Sequence, residues 1–150
     1  MNYLLDTNVL VAFIRGGSFR EHIENRYDPF GEQNTAIISV VTVGEIESFA
    51  LRNGWGIRKL TNLSELLSSL IVTDINVRSV IKKYAEIEAF SQNKLPHKPL
   101  PTTARNMGKN DLWIAATAAV IGAKLLTTDT DFEHLNGEYL DLGLVELGKM

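Results

Sequence analysis

The sequence predicts an α/β fold around a mostly parallel sheet, on three observations. Short apolar stretches that read as strands alternate along the chain with longer stretches that read as helices. The run AIISVV at residues 36–41 is apolar except for Ser39 and rich in β-branched residues, as are strands covered on both faces. The stretch from Asn110 to Phe132, NDLWIAATAAVIGAKLLTTDTDF, places an Ala-rich helix, a glycine stop and another apolar strand in direct succession.

In order, residues 3–5 read as a strand, and polar Asp6-Thr7-Asn8 lead into a short apolar helix that Gly16-Gly17 ends. Residues 18–27 read as a surface helix with Phe19 and Ile23 four apart, followed by a turn at Asp28-Pro29-Phe30-Gly31. Strand 36–41 feeds TVGEIESFALRNG, whose Thr42 and Glu45 have the spacing of a capping box. Gly54-Trp55-Gly56 is a turn in which Trp55 is expected to pack rather than stack on a base. Residues 61–69 carry leucines at helical spacing, and 71–73 read as a short strand. Asn76 is expected to cap a long helix with Val77, Val80, Ile81, Tyr84 and Ile87 inward. Residues 93–110 hold three prolines, four cations and no acid, an irregular segment long enough to suggest function. The helix after Asn110 ends at Gly122, residues 124–127 form a strand, a helical turn follows Asp131, and 140–147 read as an edge strand.

With 150 residues and 45% apolar content, one domain covering residues 1–150 is expected, able to bury roughly two-thirds of its unfolded surface. The chain has no Cys, which excludes disulfides and thiolate metal sites and suits a cytoplasmic setting. No signal-peptide pattern opens it, and no apolar run approaches the ~20 residues of a membrane span. The net charge of −3 is not that of a typical nucleic-acid binder, but setting aside five carboxylates for one metal site turns it to +2.

Four acids recur at element ends. Asp6 and Asp129 follow apolar strands, and Glu45 and Asp111 fall in the first turns of helices. Each taken singly is also explained as a helix cap. In open α/β sheets ligands bind beyond the carboxyl ends of strands, where the strand order reverses, so the four are placed to share a crevice. Four carboxylates there would repel one another or take up protons unless a cation joined them. All-oxygen donors, no Cys and three scattered His (His22, His97, His134) point to Mg²⁺ or Mn²⁺. A metal so held activates water for in-line attack on phosphorus, so the chemistry implied is phosphodiester hydrolysis. Lys94, Lys98, Arg105 and Lys109, in the irregular segment before Asp111, form a candidate basic rim that receives backbone phosphates.

The segments LLDTNVLV, SVVTVGEIE, NDLWIAATA and LLTTDTDF, in that order and spacing, resemble a PIN-domain ribonuclease, most closely a VapC-type toxin of a toxin–antitoxin pair. The resemblance spans residues 3–132. It implies a parallel sheet of about five strands and a metal held by Asp6, Glu45, Asp111 and Asp129. Asn8, Thr127 and Asp131 would support that site. It further implies endoribonuclease activity leaving a 5′-phosphate, a homodimer, and an antitoxin lying across the active-site groove. Any contact with DNA would come through that antitoxin. The other readings are a non-toxin PIN nuclease of RNA processing or decay, a PIN fold that only binds, and a phosphoaspartate enzyme of the haloacid-dehalogenase type. The last wants a second acid where this chain has Asn8. A P-loop is absent, since no glycine-rich run is followed by Lys-Ser or Lys-Thr at the needed spacing.

Overall fold

A computed structural model describes residues 1–146 of the chain. Its strands are β1 (Asn2–Leu5), β2 (Thr35–Ser39), β3 (Ile71–Thr73), β4 (Lys124–Thr127) and β5 (Asp141–Leu144). They form one sheet in the order β3-β2-β1-β4-β5, and every pairing is parallel. The expected mostly parallel sheet is therefore parallel throughout. The strand anticipated at 140–147 is limited to β5, with Leu147 outside the described residues.

Helices cover both faces, and strand alternation decides what each face receives. Leu4, Ile37 and Leu125 point into a core shared with α5 (Arg78–Ser91) and α6 (Lys109–Ile121). Tyr3, Leu5, Ala36, Ile38 and Leu126 point the other way. There they meet residues of α1 (Thr7–Arg15), α2 (Gly17–Arg26), α3 (Val40–Arg52) and α4 (Ile57–Ser68). This two-sided burial is why β1, β2 and β4 are apolar without alternation. In α6, Leu112, Ile114, Ala115 and Ala116 are fully buried, and the alanines allow close approach to the sheet. Its end is set by Gly122, left-handed at φ 68°, a conformation that costs glycine little.

Several local expectations are corrected. Val40 and Val41 open α3 instead of continuing the strand: Ser39 is the cap, its Oγ accepting from the Val41 N–H at 3.1 Å. Thr42 is therefore inside the helix and Glu45 lies in its second turn, so no capping box forms. Valine's β-branching favours a strand, but Val40 is exposed, and the covered run ends at Ser39. The helix expected at 61–69 starts earlier, at Ile57. Asn76 does not cap α5: Val77 holds that position, and the Asn76 N–H donates instead to Asp74 Oδ1 at 2.9 Å. Val77 and Ile81 are 44% and 45% exposed, not inward. The buried seam of α5 runs through Val80, Ile87 and Ser91, with Tyr84 packed on Trp113, and Ile81 lies about 100° around the helix from Val80. Trp55 packs edge-on against Phe49, as expected.

The sheet order reverses direction at β1, whose neighbours are β2 on one side and β4 on the other. The crevice beyond the carboxyl ends of β1 and β4 is the topological switch point of the fold.

Candidate active site

Asp6 is fixed at that crevice by three hydrogen bonds. Its backbone N–H donates to the Leu126 carbonyl at 2.9 Å, which continues the β1–β4 pairing by one residue. Its Oδ1 accepts from the Thr7 N–H at 2.8 Å, capping α1, and its Oδ2 accepts from Thr127 Oγ1 at 2.7 Å. The cap and the site are thus the same side chain. Asp6 is only 4% exposed. Burial pushes its carboxyl above the ordinary value, as do the charges of Glu45 and Asp129, while the bonds from Thr127 and Thr7 act in the opposite sense.

Thr127 ends β4 fully buried and serves both strand-end acids, since its Oγ1 also accepts from the Asp129 N–H at 3.0 Å. Asp129 Oδ1 accepts from the Asp131 N–H at 2.9 Å and caps a short 3-10 helix, Thr130–Leu135. Glu45 reaches the crevice from α3, its Oε1 accepting from Thr7 Oγ1 at 2.8 Å, with Thr42 Oγ1 lying 3.3 Å from the same hydroxyl. Asp111 stands in the first turn of α6, behind Gly108, which caps that helix without a side chain. Its carboxyl is pushed up to about 7, first by burial and then by the charges of Asp6, Asp129, Glu45 and Asp131. The structure thus brings all four predicted acids, with Asp131, into one electrostatic neighbourhood.

A cleft of about 430 Å³ opens over Asp6, Glu45 and Asp111, lined also by Thr7, Asn8, Thr128, Arg15, Phe49 and Arg52, while Asp129 and Asp131 do not line it. Asn8 is exposed on its edge and, among the described residues, its side chain makes no hydrogen bond. Asp131 is exposed. The four cations of the irregular segment do not line this cleft. Lys98 pairs with Glu138 at 3.3 Å and lies over Tyr139, and Arg105 is half-buried with its backbone N–H on the Ser91 carbonyl. Lys94 is exposed, and Lys109 begins α6, also exposed. Sequence reading passed over Thr7, Arg15 and Arg52. Thr7 gains its role from Glu45, 38 positions on, and Arg15 meets the ring of Phe49 on another helix, while Arg52 is a near neighbour of Phe49 that only the fold turns towards the cleft.

The donors fit a hard divalent cation in kind: four carboxylates, no thiol, and no histidine lining the cleft. As the side chains stand, no three acids or histidines among the described residues converge closely enough to hold one ion. Glu45 is drawn onto Thr7 and Asp129 onto the Asp131 amide. Ligation would exchange those hydrogen bonds for an ion that relieves the mutual repulsion.

Residues 3–138 match the PIN domain family. Among solved structures, the chain is similar to VapBC2 of Rickettsia felis bound to a promoter DNA fragment, at 24% identity and a TM-score of 0.76, covering 96% of this chain and 98% of that one. It is similar to VapBC-1 of nontypeable Haemophilus influenzae at 20% identity and a TM-score of 0.73, again over 96% and 98% of the two chains. FitAcB of Neisseria gonorrhoeae is 21% identical with a TM-score of 0.64, over 93% of this chain and 95% of that one. No curated protein sequence matches.

Proposed function

Because this chain belongs to the PIN-domain family, we propose that it is a metal-dependent endoribonuclease acting as the toxin of a toxin–antitoxin pair. The observation that carries the nuclease reading is the charge coupling at the switch point: Asp111 is held near 7 by burial and by Asp6, Asp129, Glu45 and Asp131. Helix capping needs one acid per helix and no such convergence. The toxin reading is supported by the likeness in fold to the VapBC and FitAcB structures and to VapBC-5 of Mycobacterium tuberculosis, described as a member of the VapBC family of toxin–antitoxin systems, and the partner proposed here is an antitoxin. RNA is the proposed substrate, a homodimer the proposed assembly, and DNA is reached only through the antitoxin.

Asp6, Glu45, Asp111 and Asp129 would hold Mg²⁺ or Mn²⁺. An ion of this kind supplies an activated water and charge neutralisation at the phosphoryl oxygens. The remaining work falls to the chain. Thr127 holds the Asp6 carboxylate in one orientation, Thr7 does the same for Glu45, and the 3-10 helix keeps Asp129 at the end of β4. Without a cation, burial and the neighbouring carboxylates push the Asp111 carboxyl up to about 7, and a bound divalent ion would relieve that repulsion and keep it ionised. Attack of water on phosphorus breaks the bond to the 3′ oxygen and leaves a 5′-phosphate and a 3′-hydroxyl.

The test is cleavage of RNA by wild type and Asp6→Asn in EDTA, Mg²⁺ and Mn²⁺. Cleavage that requires metal and is lost in Asp6→Asn is expected. Release of phosphate from small phosphoesters without RNA cleavage would replace this reading with a phosphatase.

A further inference from the structure

The acid cleft carries two arginines that its acids do not use. Arg15 closes α1 and Arg52 closes α3, and their guanidinium carbons lie 5.9 and 5.8 Å from the centre of the same ring, Phe49, which itself lines the cleft. A cation at the last turn of a helix is ordinary, because it complements the helix dipole. That accounts for each arginine singly, and Arg52 meets Phe49 as its neighbour one turn on in α3. It does not account for Arg15 reaching the same ring from another helix, beside the three carboxylates that line the cleft.

Contact with a ring face orients a guanidinium while leaving its N–H donors free for an anion. Among the described residues neither arginine forms an ion pair, and the one side-chain hydrogen bond between them runs from Arg52 Nε to Ser48 Oγ at 3.3 Å.

A second groove, of about 510 Å³, meets the cleft at Glu45 and Arg52 and runs along the start of α3 past Gly44 and Ser48 to Asn110. Gly44 lies inside α3, where glycine is destabilising relative to alanine. Nothing among the described residues calls for it: its φ is not in the left-handed region, and a Cβ there would meet none of their atoms within 4 Å. A groove floor kept bare without an internal reason is one that an outside ligand approaches.

We infer that Arg15 and Arg52 grip the phosphates flanking the scissile one in a single-stranded RNA, and that the groove over Gly44 seats the adjoining nucleotides. This rests on the nuclease reading and adds to it the path of the substrate. A phosphodiester strand carries charges at regular intervals with neutral groups between them. That suits cations set beside the acid cluster and a groove whose other polar lining, Ser48 and Asn110, is uncharged. An acidic peptide offers no such spacing.

The experiment uses the Asp6→Asn chain in Mg²⁺, which blocks cleavage, and follows the fluorescence anisotropy of a labelled single-stranded RNA oligonucleotide across a KCl series. Arg15→Ala and Arg52→Ala are each expected to weaken binding about 5- to 10-fold at low salt. Each should also reduce the slope of log affinity against log salt by about 0.7, one phosphate contact on a single strand. Arg15→Lys keeps the charge, so it is expected to restore the slope and guards against a folding artefact. Gly44→Leu should weaken RNA binding while raising the melting temperature, a combination that a purely structural role does not produce. An unchanged slope in the Arg15→Ala/Arg52→Ala double variant overturns the inference and leaves the nuclease reading standing. No RNA binding by the Asp6→Asn parent at any salt overturns both. Loss of binding to an acidic peptide, with the RNA slope untouched, assigns the groove to a protein partner and also overturns the inference.

Discussion

At the residue scale, Asp6 shows how one side chain serves two demands that conflict. Capping α1 and accepting from Thr127 favour its ionised form, while burial and the neighbouring acids oppose it. Asp6→Asn retains an oxygen for the Thr7 N–H and removes the charge. It is expected to abolish cleavage while leaving the melting temperature unchanged or higher, as thermal melts beside an RNA cleavage assay would record. Thr127→Val strips the Asp6 carboxylate of its side-chain donor, so the Asp6 carboxyl should rise further, visible as an upward shift of its titration by NMR. At Asp111 the sign of the pH effect follows from the direction of the shift. The folded chain binds this proton more tightly than the unfolded chain, from an ordinary 3.8 to about 7. The destabilisation is therefore absent below about pH 4, grows as pH rises towards 7, and is complete above it. Discounted for partial exposure, it is on the order of 2 kcal/mol. Metal-free protein should lose that much in denaturant titrations between pH 4 and 7.5, and Asp111→Asn should flatten the profile.

At the scale of elements, the boundaries are set by side chains that satisfy backbone groups. Ser39→Ala removes the cap of α3 from a fully buried position and is expected to cost about 1 kcal/mol in urea unfolding. Gly143→Ala in β5 would set a Cβ 2.5 Å from Leu126 Cδ2 and 3.2 Å from Lys124 Cε, against the strand that carries Thr127. A further loss of stability is expected there by the same assay. The α6–β4 unit was legible in the sequence because an alanine run, a glycine stop and an apolar strand each have a single reading. The start of α3 was not, because Val40 and Val41 satisfy the strand pattern as well as the helix, and the decision rests on a serine whose burial only the fold reveals. The start of α5 was missed for a related reason. Asn76 has the chemistry of a cap, but Asp74 already holds its N–H.

At the scale of the molecule, Asp6, Asp111 and Asp129 could be grouped from sequence because strand ends and helix starts in a parallel sheet face one crevice, whereas Glu45 reaches it from the second turn of α3. The hydroxyl partners could not be grouped with them, since Thr7 gains its role from Glu45 and Thr127 gains its role from Asp6 only through the sheet order. An ion bound among the acids ties α1, α3, α6 and β4 together, so its effect should be global. Mg²⁺ or Mn²⁺ at saturating concentration is expected to raise the melting temperature of wild type by several degrees through linkage, and to raise that of Asp6→Asn or Asp111→Asn much less. The same melts in EDTA supply the baseline.

The bond from Thr127 to Asp6 joins residues 121 positions apart, and β1 can acquire β4 as its neighbour only when the polypeptide has been made that far. During translation, the first strand and its aspartate emerge early and wait, without their central partner, for most of the chain to follow. The crevice that these two residues build is therefore incomplete until β4 has been made. The long-range pairing that slows folding also sets when the site is assembled.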